Sequence, residues 1–549
     1  MSNRHPLIRD PLSRHGVGAV VAASAFAIAA PAFASESACS ALSGTVGTAT
    51  PERVQASFLE AGKARAGGGE RGTPLAAHCL VKAQLAPHVG VGGRKFHTGV
   101  ELRMPEDWNG RFLYLGGGGN DGVVREASGA IASGLGADPA LNRGYAIVTT
   151  DAGHQGTKAS EFGIDPVARV DHAYAAHDRT ARFAKATIAR YYGKAAERSY
   201  FFGCSGGGRQ GMMFTQRFPD YFDGVIAMAP AMRVSSGATI ASAWNAQEFR
   251  DAAPLGADGK PQTHAAFSDA ALGVVAKGVL NACDATDGLA DGMVANPTAC
   301  RFDPTSIACP ADKSETCLDA KQVKAMQRYL DGPKDGSGKA LYFPQMADPA
   351  IAQDGWRLWA LGTEKQPSRY VFLMQDALRH EFITPPAPDL DMLRFDFDRD
   401  PERMKAFSWI YDTYADAKLD AFRAHGGKLM IVHGTADPIF SAHESVDYFM
   451  RAADALGGVS KAQEAMRLFL VPGMNHCRGG IGTDDFDALA SMVGWVERNE
   501  APARIEAKVS PANRATPNRG RPLCAYPAWP RYDGTGDKES AASFACATE

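Results

Sequence analysis

At 549 residues the chain is too long for a single compact core, and it points to one large domain with an insertion or to several domains. Lysine and arginine total 58 against 61 acidic residues, a formal charge of −3, and 45% of residues are hydrophobic. Such a balance gives nucleic acid or an acidic membrane surface no electrostatic foothold, so neither is expected as a partner.

Met1–His15 carries Arg4, Arg9 and Arg14, Gly16–Ala30 is apolar and alanine-rich, and Pro31 precedes Ala32-Phe33-Ala34. This is the layout of a secretory signal with a small-x-small cleavage point. We expect removal of residues 1–34 after Ala34 and a mature chain from Ser35 that is secreted or periplasmic. The apolar run is short and rich in small residues for a bilayer span, and no later stretch approaches about 18 apolar residues, so no membrane partner is expected. Export makes the ten cysteines readable: an even count in an oxidising compartment predicts disulfides. The sequence has no CxxC pair, which argues against a zinc ribbon or a thioredoxin-like site.

Strands are predicted at Phe112–Leu115, ending in Gly116–Gly119, and at Tyr145–Thr149, followed by a helix over Asp171–Tyr192. Tyr200–Phe202 reads as a strand entering a glycine-rich turn, Arg209–Phe218 as a helix and Gly224–Met228 as a strand. Alternation of this kind implies a parallel sheet covered on both faces. From about Met232 to Asp412 the pattern gives way to Gly, Pro, Asp, cysteines and scattered helical pieces such as Lys321–Leu330, which reads as an inserted domain. Buried strands return at Lys428–Val432 and Arg467–Val471, and the tail from Pro511 reads as irregular. The expected division is therefore 35–231 and 413–549 for the two parts of an α/β core, with 232–412 between them.

Gly203-Cys204-Ser205-Gly206-Gly207 fits G-x-S-x-G, with a strand before it and a helix after it. A sharp turn there lifts the Ser205 hydroxyl to the carboxyl edge of the sheet and leaves the Gly206 N–H at a helix N-terminus, where an oxyanion is stabilised. A phosphate-binding turn would require Lys before Ser or Thr, and Arg209 follows instead. A serine hydroxyl needs a base, and in this strand order the acid and then the histidine come later in the chain. Asp437 follows the strand at 428–432 and His476 follows the strand at 467–471; His433 competes as base but precedes the acid. The backbone of Gly118 and Gly119, also after a strand, is the candidate for the rest of the oxyanion site. Cys204 adjoins the nucleophile and Cys477 adjoins the base, so a triad brings them together. A bond between them closes a very long loop, for which chain entropy gives roughly 5 kcal/mol as an upper figure.

With Cys204-Ser205, Asp437 and His476-Cys477 in place, the chain resembles the tannase/feruloyl esterase family. It is especially close to the mono(2-hydroxyethyl) terephthalate hydrolase branch across Phe395–Asp398 and Arg467–Cys477. The resemblance implies an α/β-hydrolase fold with a large inserted lid domain. It also implies five disulfides: Cys39–Cys79, Cys204–Cys477, Cys283–Cys300, Cys309–Cys317 and Cys524–Cys546. The carboxylates of Asp284, Asp287 and Asp291 suit a hard cation, although an acidic turn explains them equally well from residues alone. The resemblance favours structural Ca²⁺, held by those side chains and by the carbonyls of Leu289 and Met293. It likewise places Trp359, Arg369 and Phe382 at the substrate, with Phe440 just past the acid; aromatic walls suit a flat acyl group, and an arginine suits a free carboxylate. Leu373 and Met374 depart from the terephthalate branch's Phe-Ser pair. The expected activity is thus hydrolysis of a small aromatic ester of the feruloyl or galloyl type. The terephthalate monoester is the alternative substrate, and a non-catalytic binder or a peptidase on the same scaffold stands further off.

Overall fold

The computed structural model describes residues 35–548 apart from 45–50, 68–70, 157–159, 311–315, 512, 514 and 515. The expected export signal and its cleavage point lie outside these residues. Nine strands form one sheet. In chain order they are β1 (Pro51–Leu59), β2 (His78–Val89), β3 (Lys95–Pro105), β4 (Arg111–Leu115), β5 (Ala146–Thr150), β6 (Arg198–Cys204), β7 (Gly224–Met228), β8 (Lys428–Gly434) and β9 (Met466–Val471). In space they lie β1-β2-β3-β5-β4-β6-β7-β8-β9. Pairings from β1 to β5 are antiparallel, and from β5 to β9 every pairing is parallel. Because β4 sits between β5 and β6, the loops leaving β4 and β6 emerge side by side at the carboxyl edge, where open α/β sheets bind their ligands.

The six strands expected from sequence are those of the parallel part, with small shifts at their ends. Their apolar runs are continuous because both faces are covered, and alternate residues feed two cores. Phe112, Tyr114, Phe201, Val225, Leu429 and Ile431 enter one cluster. Leu113, Leu115, Tyr200, Phe202, Ile226 and Met430 enter the other. Helices α1 (Ala176–Tyr192) and α2 (Gly206–Arg217) pack on the first face. The helix expected from Asp171 starts with a wider π turn over Asp171–Ala175. The carbonyls of His172 and Ala173 in that turn accept from the buried Arg209 guanidinium, at 3.1 and 2.9 Å.

Between Met232 and Asp412 the chain leaves the sheet and returns. The Thr413 N–H donates to the Met232 carbonyl at 2.8 Å, closing the base of the excursion. The half-buried Asp412 carboxylate accepts from the backbone and hydroxyls of Ser235 and Ser236 at the same place. Helices α3 (Thr239–Ala252), α4 (Asp269–Cys283), α5 (Ala320–Asp331), α6 (Asp354–Ala360), α7 (Arg369–Asp376) and α8 (Asp400–Tyr411) surround a core that includes Phe249, Trp356, Phe382 and Phe407. Asp319 and Gln322 start α5 with a reciprocal capping box. Beyond this lid, α9 (Ala442–Leu456) and α10 (Ala488–Arg498) cover opposite faces of the sheet.

All ten cysteines are paired, in the five combinations that the resemblance implies. The tail is more regular than expected. Gly520–Cys524 joins a small antiparallel sheet with Arg504–Lys508, and Trp529–Tyr532 pairs with Phe544–Ala547 under the Cys524–Cys546 bond. Among the described residues, no helix is long and apolar enough to cross a membrane.

Candidate active site

Ser205 occupies the one-residue turn between β6 and α2, with φ 65° and ψ −124°. Backbone of this kind in a non-glycine residue costs on the order of 1–3 kcal/mol and persists only where neighbours over-determine it. Here the Ser205 N–H donates to the Met228 carbonyl at 3.0 Å, and its own carbonyl accepts from Arg209 and Ala231. The flanking glycines are required by close approach. A Cβ on Gly203 would lie 2.6 Å from the Gly207 carbonyl, and one on Gly208 would lie 2.5 Å from the Met228 carbonyl oxygen.

Asp437 stands in the loop after β8 and His476 in the loop after β9. Asp437 Oδ2 meets His476 Nδ1 at 2.7 Å, and Asp437 Oδ1 accepts from the N–H groups of Ile439 and Phe440 at 2.9 and 3.1 Å. Burial alone pushes the Asp437 carboxyl up, but His476 and His433 beside it outweigh that and hold it well below the usual carboxylate range. The charged carboxylate is thus favoured and holds the imidazole through Nδ1. His433, the competing base, is fully buried: Nδ1 lies 2.7 Å from the Ser445 hydroxyl and Nε2 3.1 Å from the Phe440 carbonyl. Nε2 also lies 3.5 Å from Asp437 Oδ2, so both of its nitrogens already have partners.

The Cys204–Cys477 bond, with Cα atoms 6.0 Å apart, joins the residue before Ser205 to the residue after His476 across 273 positions of sequence. Two rings flank the imidazole edge-on, Trp359 at 5.2 Å and Phe440 at 5.3 Å. The exposed Arg369 places its guanidinium 5.6 Å from the Trp359 ring. Phe382 goes elsewhere: fully buried, it packs on Phe407 and Tyr411 and presents no surface to a ligand. Its apolar chemistry fits the lid core as well as it fits a pocket wall, which is why sequence does not separate the two.

The glycine loop after β4 reaches the turn. A Cβ built on Gly206 would lie 3.0 Å from Gly118 Cα and 3.7 Å from the Gly119 nitrogen. The Gly118 N–H donates to Asp121 Oδ1 at 2.6 Å, so of the two glycines singled out from sequence, Gly118 has its amide already committed. Gly117 donates to Gln210 Oε1 at 3.1 Å, and Gln210 Nε2 donates to Asp121 Oδ2 at 2.9 Å. A third polar side chain that sequence reasoning missed is Asp348 of the lid. Its Oδ2 accepts from the Thr435 hydroxyl at 2.5 Å and from Gly473 N–H at 3.0 Å, which ties the Asp437 loop to the His476 loop. Its only sequence signal was an Asp-Pro helix start, which fits any cap.

In the acidic loop, Asp284 accepts from the backbone of Asp291 and Gly292, and Asp287 from that of Leu289 and Ala295. Asp291 pairs with Arg521. Burial, with Asp291 and Asp284 nearby, pushes the Asp287 carboxyl up to about 7. The donors are all oxygen, as calcium prefers, but they are turned onto backbone amides and an arginine. Among the described residues, no three acidic, histidine or cysteine side chains converge as a metal site.

A parallel sheet with a strained serine turn, a later acid and a still later histidine at one edge defines the α/β-hydrolase class of ester-cleaving folds. The family model for tannase and feruloyl esterase matches residues 84–547, and the chain belongs to that family. It is 41% identical over 522 residues to the mono(2-hydroxyethyl) terephthalate hydrolase of Piscinibacter sakaiensis, covering 86% of this chain and 85% of that one. A probable feruloyl esterase of Arthroderma benhamiae is 31% identical over 508 residues, with 86% of each chain covered. The crystal structure of feruloyl esterase B from Aspergillus oryzae superposes with a TM-score of 0.76 at 25% identity, covering 93% of this chain and all of that one. The protein is a carboxylic ester hydrolase.

Proposed function

We propose that the chain is exported and hydrolyses esters of aromatic carboxylic acids through an acyl-enzyme on Ser205. The Ser205 hydroxyl attacks the ester carbonyl while His476 Nε2 takes its proton, and Asp437 stabilises the imidazolium. The tetrahedral oxyanion is met by the N–H groups of Gly206 and Gly119. Collapse expels the alcohol, which receives the proton from His476. Water, activated by the same nitrogen, then releases the acid and restores Ser205. The observation that carries this reading is the 2.7 Å Asp437–His476 contact on a loop bonded through Cys477 to the residue beside Ser205. Its test is hydrolysis of methyl ferulate by the mature chain and by Ser205→Ala: turnover should fall on the order of 10⁶-fold. Equal rates would remove Ser205 from the chemistry.

Trp359 and Phe440 beside the imidazole favour a flat acyl group. Feruloyl or galloyl esters are the first choice, and the export signal suits plant material met outside the cell. The terephthalate monoester is the second reading, favoured by the exposed Arg369 against Trp359, where a guanidinium would grip a free carboxylate. A panel of methyl ferulate, methyl gallate and the terephthalate monoester, each with Arg369→Ala, separates them. Arginine loss should raise KM selectively for the acyl group that carries a second carboxylate. The same reading gives the acidic loop a structural calcium ion on Asp284, Asp287, Asp291 and the carbonyls of Leu289 and Met293. For that, Asp291 must exchange Arg521 for the ion. A chelator should then lower Tm and added calcium restore it, whereas an unchanged Tm would leave the loop a self-capped acidic turn.

A further inference from the structure

We propose that Asp121 and Gln210 are positioning residues whose paired side chains aim the Gly119 N–H at the oxyanion; the inference rests on the acyl-enzyme reading above and concerns how its oxyanion site is held. From Gly118 to Gly122 every residue has positive φ: 131°, 64°, 61°, 30° and 80°. Asn and Asp tolerate such backbone as single residues but not in a run, so something must impose it on Asn120 and Asp121. Gln210 lies in α2, one turn past Ser205, and is 1% exposed; Asp121 is 9% exposed. Together they close a ring of four polar groups. Gly117 donates to Gln210 Oε1, Gln210 Nε2 donates to Asp121 Oδ2, and Gly118 donates to Asp121 Oδ1. Only one orientation of the Gln210 amide satisfies an N–H on one side and a carboxylate on the other.

The ring consumes the two amides before Gly119, Gly117 bonding to the helix that follows Ser205 and Gly118 to Asp121 of its own loop. No acceptor among the described residues takes the Gly119 N–H. Its nitrogen faces Gly206, 3.7 Å from where a Cβ of that residue would stand, and the Gly206 N–H itself opens α2 without an intrahelical partner. On the far side, Asn120 Nδ2 donates to the Ser160 hydroxyl at 2.8 Å, and Gly122 N–H to the Asp151 carbonyl at 2.9 Å. The loop is thus fixed at both ends while its middle amide stays open. Neither Asp121 nor Gln210 touches the reacting atoms; each acts through the loop.

The test uses the full mature chain with a soluble aromatic ester. Gln210→Ala and Asp121→Ala should each lower kcat by about 10–100-fold, less than the loss of a donor outright, with KM nearly unchanged. Affinity for an aryl boronic acid, which forms a tetrahedral anion on the serine, should fall in step with kcat, while inhibition by the product acid stays constant. Gln210→Glu alone sets two carboxylates face to face and should be as poor. Combining it with Asp121→Asn reverses the ring's polarity, the introduced amide donating to the introduced carboxylate, and should recover most of kcat. If an alanine variant fails to fold, the exchanged pair decides. Wild-type kcat in the alanine variants, a loss confined to KM, or an exchanged pair no better than Gln210→Glu overturns the proposal. Ser205→Ala run alongside keeps the two claims apart: activity surviving there discards the acyl-enzyme, whereas intact clamp variants beside a dead Ser205→Ala discard only the clamp.

Discussion

Ser205, Asp437 and His476 stand on turns whose backbones are fixed by the parallel sheet, whereas Trp359, Arg369 and Phe382 stand on short helical pieces of the lid fixed mainly by side-chain packing. At the sheet edge, position follows from chain order: a turn after β6, a loop after β8 and a loop after β9 must emerge together. In the lid, two aromatics on nearby helical pieces go to different places, Trp359 against the imidazole and Phe382 into the Phe407–Tyr411 stack. The proposed chemistry thus sits on turns at the sheet edge, and the proposed substrate contacts, Trp359 and Arg369, sit on the lid.

That contrast gives three ways to break or sharpen it, in falling order of effect. Asp437→Asn keeps the shape of the edge but offers His476 Nδ1 an amide in place of a carboxylate. By analogy with other triads kcat should drop about 10⁴-fold with the fold intact, and a loss confined to KM would move Asp437 out of the triad. In the lid, Phe382→Ala should cost about 3–5 kcal/mol of stability, read by denaturant unfolding. The folded variant should keep its kcat/KM within a few-fold. Trp359→Ala should do the reverse, lowering kcat/KM more than stability; the same pattern for both residues would erase the distinction between pocket and lid core.

The smallest effect concerns the seam between the two regions. The Tyr342 hydroxyl of the lid donates to Glu444 at the start of α9, at 3.0 Å. Burial raises the Glu444 carboxyl from 4.5 to about 8, opposed only in part by the Arg233 charge and the Tyr342 hydrogen bond. A raised carboxyl binds its proton more tightly in the folded state. Its contribution is complete below the unfolded value and is lost as pH rises toward about 8. Glu444→Gln should therefore lose less Tm between pH 5 and pH 8 than the parent chain. An equal or steeper loss would assign the pH dependence elsewhere, with Asp151 and Asp287 next in line.

The same division explains what the sequence made legible. Strands buried on both faces leave continuous apolar runs, so the fold class stands out, and the residues proposed as nucleophile, acid and base each follow one of those runs. The antiparallel strands β1–β3 did not, because their exposed and buried positions mix apolar with charged groups such as the ion-paired Glu101 and Arg103. Asp121, Gln210 and Asp348 were invisible for another reason. Each is a common polar residue whose meaning comes only from a partner brought close by the fold. The π turn before α1 depends likewise on Arg209, which arrives from a different helix.

The most direct test of the account is to catch the covalent intermediate. An activated aromatic ester is mixed with the protein, quenched in acid within a turnover, and digested with the disulfides reduced. An acyl-enzyme on Ser205 gives a mass increase equal to the acyl group on the peptide that contains Ser205, absent from Ser205→Ala and accumulating in Asp437→Asn if deacylation slows more than acylation. Steady turnover with the Ser205 peptide unmodified, and the acyl group found on another side chain, would contradict it.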